Sequence, residues 1–126
     1  MVRIQNWHGK TKEEVAIMDL NDFARAVPAR SRRKIKRGFT VMEKILLKDI
    51  AKGDMHIKTH CRDMVILPVM IDKKIEVYNG HQFTQVHVTI DMLGHRLGEF
   101  VMTRSSVKHS APGIGATRSS AAISVK

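Results

Sequence analysis

Three side chains that could bind a transition metal lie close together in the sequence: His56, His60 and Cys61. Imidazole and thiolate are the ligands that zinc prefers in proteins. On a strand, where successive side chains point to opposite faces, His56 and His60 share one face and Cys61 lies on the other. The chain has one Cys, which excludes zinc frameworks built from several cysteines and any intramolecular disulfide. The pattern favours ordinary polar side chains here and leaves a small metalloenzyme as the lowest-ranked alternative.

No other group of residues has a spacing typical of catalysis. The sequence contains no Walker loop, nucleophile elbow or paired-cysteine motif. Gly113-Ile114-Gly115 is glycine-rich, but no helix is predicted after it, whereas phosphate-binding glycine loops lead into a helix N-terminus. Four further histidines are scattered without ligand spacing: His81, His87, His95 and His109. We therefore expect no enzymatic activity and no cofactor.

The basic residues are concentrated in two segments. The chain has 126 residues and a formal charge of +10, from 22 Lys and Arg against 12 Asp and Glu. Residues 25–62 carry twelve basic against three acidic side chains, and residues 101–126 carry four against none. Residues 1–24 and 63–100 are slightly acidic. Clustered positive charge is typical of surfaces that bind phosphate backbones, because docked cations release condensed counterions.

The N-terminal part is predicted to form short helices. Thr11 and Glu14 have the spacing of a capping box, and Asp19 is a second candidate N-cap, for a helix that Pro28 must end. A third helix is predicted from Ala29 to Arg37, before Gly38. Because its only large apolar residue is Ile35, we expect this helix to become well ordered against an anionic partner. Its basic residues are Arg30, Arg32, Arg33, Lys34, Lys36 and Arg37.

The main helix and the sheet follow. Thr40 and Glu43 form another capping box, Gly53 is the stop signal, and the apolar stripe of this helix contains Met42, Ile45, Leu46 and Ile50. A strand is predicted from His56 to His60, an extended apolar piece from Met64 to Leu67, and a helical turn from Pro68 to Ile71. Asn79-Gly80 is the preferred pair for a two-residue hairpin turn.

That turn would place Ile75 opposite Thr84 and Ile71 opposite Val88. One face of the hairpin is then mostly apolar: Ile71, Ile75, Val77, Thr84, Val86 and Val88. The other face is mixed: Lys74, Glu76, Tyr78, Phe83, Gln85 and His87. Short helical turns are predicted around residues 91–93 and 97–100.

These elements predict an α+β fold, with a small antiparallel sheet packed on one main helix. We divide the chain into an N-terminal helical extension with the basic helix (1–38), an α+β core (39–100) and an extended basic C-terminal tail (101–126). The first 15 residues lack a signal-peptide core, and the longest apolar run is too short to span a membrane. We therefore expect no membrane partner.

Several motifs in fixed order resemble one known family. They are His60-Cys61-Arg62-Asp63-Met64, Val77-Tyr78-Asn79-Gly80, Gly94-His95-Arg96-Leu97-Gly98-Glu99-Phe100, Val107-Lys108-His109 and Pro112-Gly113-Ile114-Gly115-Ala116-Thr117-Arg118-Ser119-Ser120. This arrangement resembles the universal small-subunit ribosomal protein nineteen family in the bacterial numbering. The basic third helix and the tail motif look like its archaeal and eukaryotic branch, and the archaeal side is favoured.

The resemblance implies a structural, RNA-binding role in the head of the small ribosomal subunit, and hence a cytoplasmic location. Family members bind the 3′ major domain of the small-subunit RNA beside the head protein numbered thirteen, and the tail reaches towards the decoding region and its transfer RNA. Besides the basic helix, the implied RNA-binding residues are Lys58, Thr59, His60, Arg62, Asn79, Gly80, His81, Gly94, His95, Arg104, Lys108, Gly113, Gly115 and Arg118.

The chain departs from the family pattern at three places. Asp72 stands where the family usually has a glycine, His81 stands where a lysine is usual, and Ser105-Ser106 replaces a basic pair. The residues alone leave a second interpretation open, a stand-alone nucleic-acid-binding protein such as an RNA chaperone.

Overall fold

The computed structural model describes residues 3–110 and residue 113. In chain order its α-helices are α1 (Lys12–Ile17), α2 (Leu20–Ala26), α3 (Ala29–Arg37) and α4 (Val41–Lys52). The strands are β1 (Ile57–Thr59), β2 (Lys74–Tyr78) and β3 (Phe83–His87), and 3₁₀ turns cover Pro68–Met70, Ile90–Met92 and Leu97–Phe100. The predicted α+β class is confirmed. Within the described residues, no helix is both long and apolar enough to cross a bilayer.

Both capping boxes are present in the structure. The Thr11 hydroxyl accepts from the Glu14 amide and the Glu14 carboxylate accepts from the Thr11 amide, and Thr40 and Glu43 make the same reciprocal pair at the start of α4. Gly53 ends α4 with φ of 79°, in the left-handed region that a glycine adopts without steric cost. The sequence therefore located these helix ends correctly.

The sheet is mixed, with strand order β1-β2-β3. β2 and β3 are antiparallel, but β1 pairs with β2 in parallel, with Ile57 opposite Ile75. The prediction of an antiparallel sheet is wrong for β1. The reason is the path of residues 60–73, which cross to the far end of the sheet before β2 begins, so that β1 and β2 run in the same direction.

The register of the hairpin also differs from the prediction. Ile75 lies opposite Val86 and Val77 opposite Thr84, so each partner is shifted by two positions. The Asn79 side chain helps to close the connection, because its Oδ1 accepts from the amides of His81 and Gln82 at 2.9 and 2.8 Å. A shift by an even number of residues leaves every side chain on its predicted face. The buried face therefore still contains Ile75, Val77, Val86 and Val88.

The predicted apolar stripe of α4 is only partly correct. Leu46 and Ile50 are buried, but Met42 and Ile45 are 60% and 45% exposed, and Glu43 is buried in their place. Apolar residues lie on more than one side of this helix, so the sequence pattern does not determine which side packs on the core. The side with Glu43, Leu46 and Ile50 faces the body of the protein, where Glu43 forms an ion pair with Lys34.

One hydrophobic core joins the N-terminal part to the sheet. It runs from Trp7, Val15 and Phe23 through Leu46 and on to the strands and the segment that follows them. The Trp7 ring stacks on Phe23 with centroids 5.2 Å apart. The described residues of the N-terminal extension thus pack on the α+β core.

Candidate RNA interface

Helix α3 presents four exposed basic side chains, Arg30, Arg33, Lys36 and Arg37. Ser31 and Ile35 are its buried residues. The Ser31 hydroxyl donates to the Gly94 carbonyl at 3.0 Å, which ties α3 to the segment after β3. The four exposed cations, hereafter the α3 cationic face, therefore project from a helix that is fixed to the core.

Arg32 points back into the protein. Its guanidinium donates to the carbonyl oxygens of Ala24, Arg25 and Val27 at 3.0 to 3.3 Å, at the C-terminal end of α2. Carbonyls at a helix end lack partners within the helix, and a cation there also interacts favourably with the helix dipole. Arg32 therefore holds α3 against α2.

Lys34 also has a partner within the chain. Its Nζ lies 3.0 Å from Oε1 of Glu43, and the Lys34 and Glu43 side chains are 24% and 4% exposed. Burial alone would raise the pKa of Glu43, but the backbone N–H of Thr40 and the Lys34 ammonium outweigh it and hold that pKa below its ordinary value. The sequence alone predicts that α3 becomes well ordered against an anionic partner. In the structure, contacts of Ser31, Arg32 and Lys34 with other parts of the chain already hold this helix in place.

Arg62 occupies a similar internal position near the sheet. Its guanidinium donates to the carbonyls of Tyr78, Gly98 and Val101 at 2.7 to 2.8 Å. A Cβ on Gly98 would lie 3.0 Å from the Arg62 Cβ and 3.1 Å from the Arg62 carbonyl oxygen, so the absence of a side chain favours this close approach. Arg62 thus connects the end of β2 to the segment that leads to the C-terminal tail.

Two more of the predicted RNA-binding residues are buried. Thr59 is 6% exposed, and its hydroxyl accepts from the Cys61 amide at 3.0 Å. Gly94 is buried with φ of 81°, and a Cβ there would lie 3.0 Å from a methyl carbon of Val27. The glycine is explained by packing at this position.

The remaining predicted residues are at least partly exposed. Lys58 and His60 lie on the outer face of the sheet, with the connection Asn79, Gly80 and His81 at the end of the hairpin. His95 is exposed, its Nδ1 2.8 Å from a Glu99 carboxylate oxygen, and it lines a cavity of about 390 Å³ together with Pro28 and Arg32. The exposed residues Arg104, Lys108 and Gly113 lie outside regular secondary structure. Gly115 and Arg118 lie outside the described residues.

The structure therefore brings the predicted residues together in two groups. His95 lies near the start of α3, and Lys58 and His60 lie beside the hairpin end. Sequence reasoning missed two members of the second group, Tyr78 and Phe83, whose rings contact His60. Their position on the outer face of the predicted hairpin was the available signal. Among residues 3–110 and 113, no three His, Cys, Asp or Glu side chains form a candidate metal site.

These features define a small cationic α+β protein whose basic side chains either fix helices in place or project from the surface. The family model described as "Ribosomal protein S19" matches residues 33–109. The chain is 46% identical over 120 residues to the "Small ribosomal subunit protein uS19" of Methanospirillum hungatei, covering 95% of this chain and 88% of the relative. It is 42% identical over the same lengths to the protein of that name from Methanococcoides burtonii.

The chain belongs to the ribosomal protein S19 family. It is thus a structural, non-enzymatic component of the small ribosomal subunit. The archaeal relatives confirm the resemblance to the archaeal and eukaryotic branch.

Proposed function

We propose that the chain binds the 3′ major domain of the small-subunit ribosomal RNA, in the head of the subunit, through the α3 cationic face. RNA binding is expected for the family. The observation that supports this choice of surface is that the basic residues of α3 fall into two groups. Arg32 and Lys34 are bound to groups of the same chain, whereas Arg30, Arg33, Lys36 and Arg37 are exposed on a fixed helix.

A fixed helix is a favourable support for phosphate contacts. Phosphate contacts set the position of a protein on RNA, and an arginine fork can donate two parallel hydrogen bonds to one phosphate. Because α3 is already held by Ser31 and Arg32, its cations lose less conformational entropy on binding than cations on a disordered segment would. We therefore assign the main electrostatic contribution to α3 and leave Arg32, Lys34, Arg62, Thr59 and Gly94 to the fold.

The resemblance extends the proposal to partners. In this proposal the chain lies beside head protein thirteen in cytoplasmic ribosomes, and its tail, which includes Gly113, Gly115 and Arg118, approaches the decoding region and transfer RNA. Arg104 and Lys108 would begin the path of this tail along the RNA.

The test is the salt dependence of binding to the isolated 3′ major domain RNA. Replacing all four exposed cations of α3 by Ala should lower the slope of log K against log salt by roughly 3, since each lost phosphate contact removes about 0.7 to 0.9. The matched control removes four exposed cations elsewhere, Lys10, Arg25, Lys48 and Lys52. A slope that falls equally in both variants would mean that only net charge matters and that α3 is not the binding surface.

A competition experiment distinguishes this proposal from the alternative of a stand-alone RNA-binding protein. A ribosomal component should keep its affinity for the 3′ major domain in the presence of excess unrelated RNA. Equal displacement by any RNA would favour a general RNA chaperone.

A further inference from the structure

Three rings meet on the outer face of the sheet. The ring centroid of His60 lies 4.5 Å from that of Tyr78 and 5.3 Å from that of Phe83, and the Tyr78 and Phe83 centroids are 5.2 Å apart. Tyr78 and Phe83 are opposed across β2 and β3, and His60 directly follows β1. We call these three residues the aromatic cluster.

The rings of the aromatic cluster are accessible to solvent. His60 is exposed, and Tyr78 and Phe83 are half-buried, while the opposite face of the same strands forms the core. Cross-strand aromatic pairs stabilise a sheet, which accounts for the contact of Tyr78 with Phe83. It does not account for the third ring, His60, which is added from outside the hairpin and remains exposed.

The charges around the aromatic cluster are mixed but include a cation directly on it. Lys58 Nζ lies 5.4 Å from the centroid of the Phe83 ring and 3.9 Å from a Glu76 carboxylate oxygen. Lys74, His81 and His87 also lie on this face or at the hairpin end, and all are exposed. Among the strand residues of this face, two lysines, Lys58 and Lys74, outnumber one acid, Glu76.

We propose that the aromatic cluster is a stacking site for an unpaired nucleobase of the RNA, with Lys58 placed for the adjoining phosphate. Unstacked bases in RNA are commonly held on aromatic and histidine rings, and a flanking cation binds the backbone. Charge complementarity selects RNA as the occupant, because Lys58 lies over the Phe83 ring and the protein as a whole has a formal charge of +10. This inference rests on the proposed RNA-binding function and adds a second contact, remote in sequence from α3.

The experiment uses the full chain and follows Tyr78 directly. Tyr78 is the only tyrosine of the sequence, so selective ¹³C labelling of tyrosine gives one set of ring signals in an NMR spectrum. The probes are a short single-stranded oligoadenylate and an abasic ribose-phosphate oligomer of the same length and charge. Stacking predicts an upfield ring-current shift of the Tyr78 signals with oligoadenylate and little shift with the abasic oligomer.

Substitutions within the aromatic cluster test whether the shift of the Tyr78 signals comes from binding at these rings. Phe83→Leu keeps most of the apolar volume, and His60→Ala removes an exposed ring; each should weaken oligoadenylate binding about tenfold, as expected for partial loss of a base-stacking contact. His87→Ala, on the same face but outside the cluster, is the matched control and should bind like the native chain. Because His60 is exposed, its replacement tests the site even where Phe83→Leu perturbs the hairpin.

The outcomes separate this inference from the proposed function. Tyr78 signals that do not move, or that move equally with the abasic oligomer, would overturn the stacking site. Backbone amide shifts in α3 with both oligomers would then still support phosphate binding by α3. In the assembled subunit, a protein covering Tyr78 with no nucleotide against the rings would also overturn the inference.

Discussion

Replacing Lys34 by Met separates a folding role from an RNA-binding role within a single basic helix. In the structure, Lys34 neutralises the Glu43 carboxylate, which is 4% exposed and also accepts a hydrogen bond from the Thr40 backbone N–H, at 2.8 Å. Removing one partner of a buried ion pair costs about 3 to 5 kcal/mol. Because Lys34 itself is 24% exposed and the Thr40 contact remains, we expect a loss of about 2 kcal/mol in the free energy of unfolding.

The loss should depend on pH with a defined sign. The pKa of Glu43 is lowered in the folded protein, since its hydrogen bonds with Thr40 and Lys34 outweigh the opposing effect of burial. A lowered folded-state pKa means that ionised Glu43 stabilises the protein above its ordinary pKa of 4.5, and that this contribution is lost as the pH falls through the folded-state pKa. The stability difference between the native chain and Lys34→Met should therefore shrink on acidification.

Urea unfolding at pH 7 and at acidic pH measures this stability difference. The matched control is Lys44→Met, because Lys44 is an exposed lysine of α4. Lys44→Met should stay within about 0.5 kcal/mol of the native chain. In RNA binding, Lys34→Met should leave the salt slope unchanged. The reasoning would be refuted if Lys34→Met unfolded like the native chain but lowered the salt slope, because Lys34 would then contact phosphate rather than Glu43.

Two further predictions concern side chains that shape the fold. Arg62→Met should lower the free energy of unfolding by about 3 kcal/mol through the loss of three charge-assisted hydrogen bonds to carbonyls. Arg62→Lys should recover little of this stability, because one ammonium cannot span the three carbonyls. If urea unfolding showed that Arg62→Lys is as stable as the native chain, charge alone would matter at this position. Asp72 has φ of 62° and pairs with Lys12, so Asp72→Gly should remain close to the native stability while Asp72→Ala should be about 1 kcal/mol less stable. Equal melting temperatures for these two variants would contradict the backbone argument.

The backbone at Asp72 accounts for the glycine that the family resemblance implies at this position. Its positive φ places this turn in the left-handed conformation, which suits glycine best. Asp is among the residues that tolerate this conformation. The exposed pair with Lys12 adds only a small stabilisation.

Local signals in the sequence predicted the helices well. The Thr11–Glu14 and Thr40–Glu43 capping boxes, together with Pro28 and Gly53, act within one helical turn. The faces of the hairpin were predicted for a related reason: alternation has a period of two, so a register error of two positions left the buried face intact.

The contacts between distant segments could not be predicted in this way. The parallel pairing of β1 with β2 depends on the path of the intervening chain, and α4 has apolar residues on more than one side. Composition likewise could not distinguish the basic residues that bind the protein itself from those that face outwards. Arg32, Lys34 and Arg62 belong to the first group because carbonyls and a carboxylate from other segments meet them.

The most direct test of the central claim is directed hydroxyl-radical probing from α3 in reconstituted small subunits. Cys61, the single cysteine, is first replaced by Ser, and Arg33→Cys then carries the iron chelate on the α3 cationic face, with Arg25→Cys on α2 as the comparison. We predict strong cleavage of the 3′ major domain from position 33 and weaker cleavage from position 25. Cleavage confined to another domain of the RNA, or no cleavage from position 33 in intact subunits, would contradict the claim that α3 lies on this RNA.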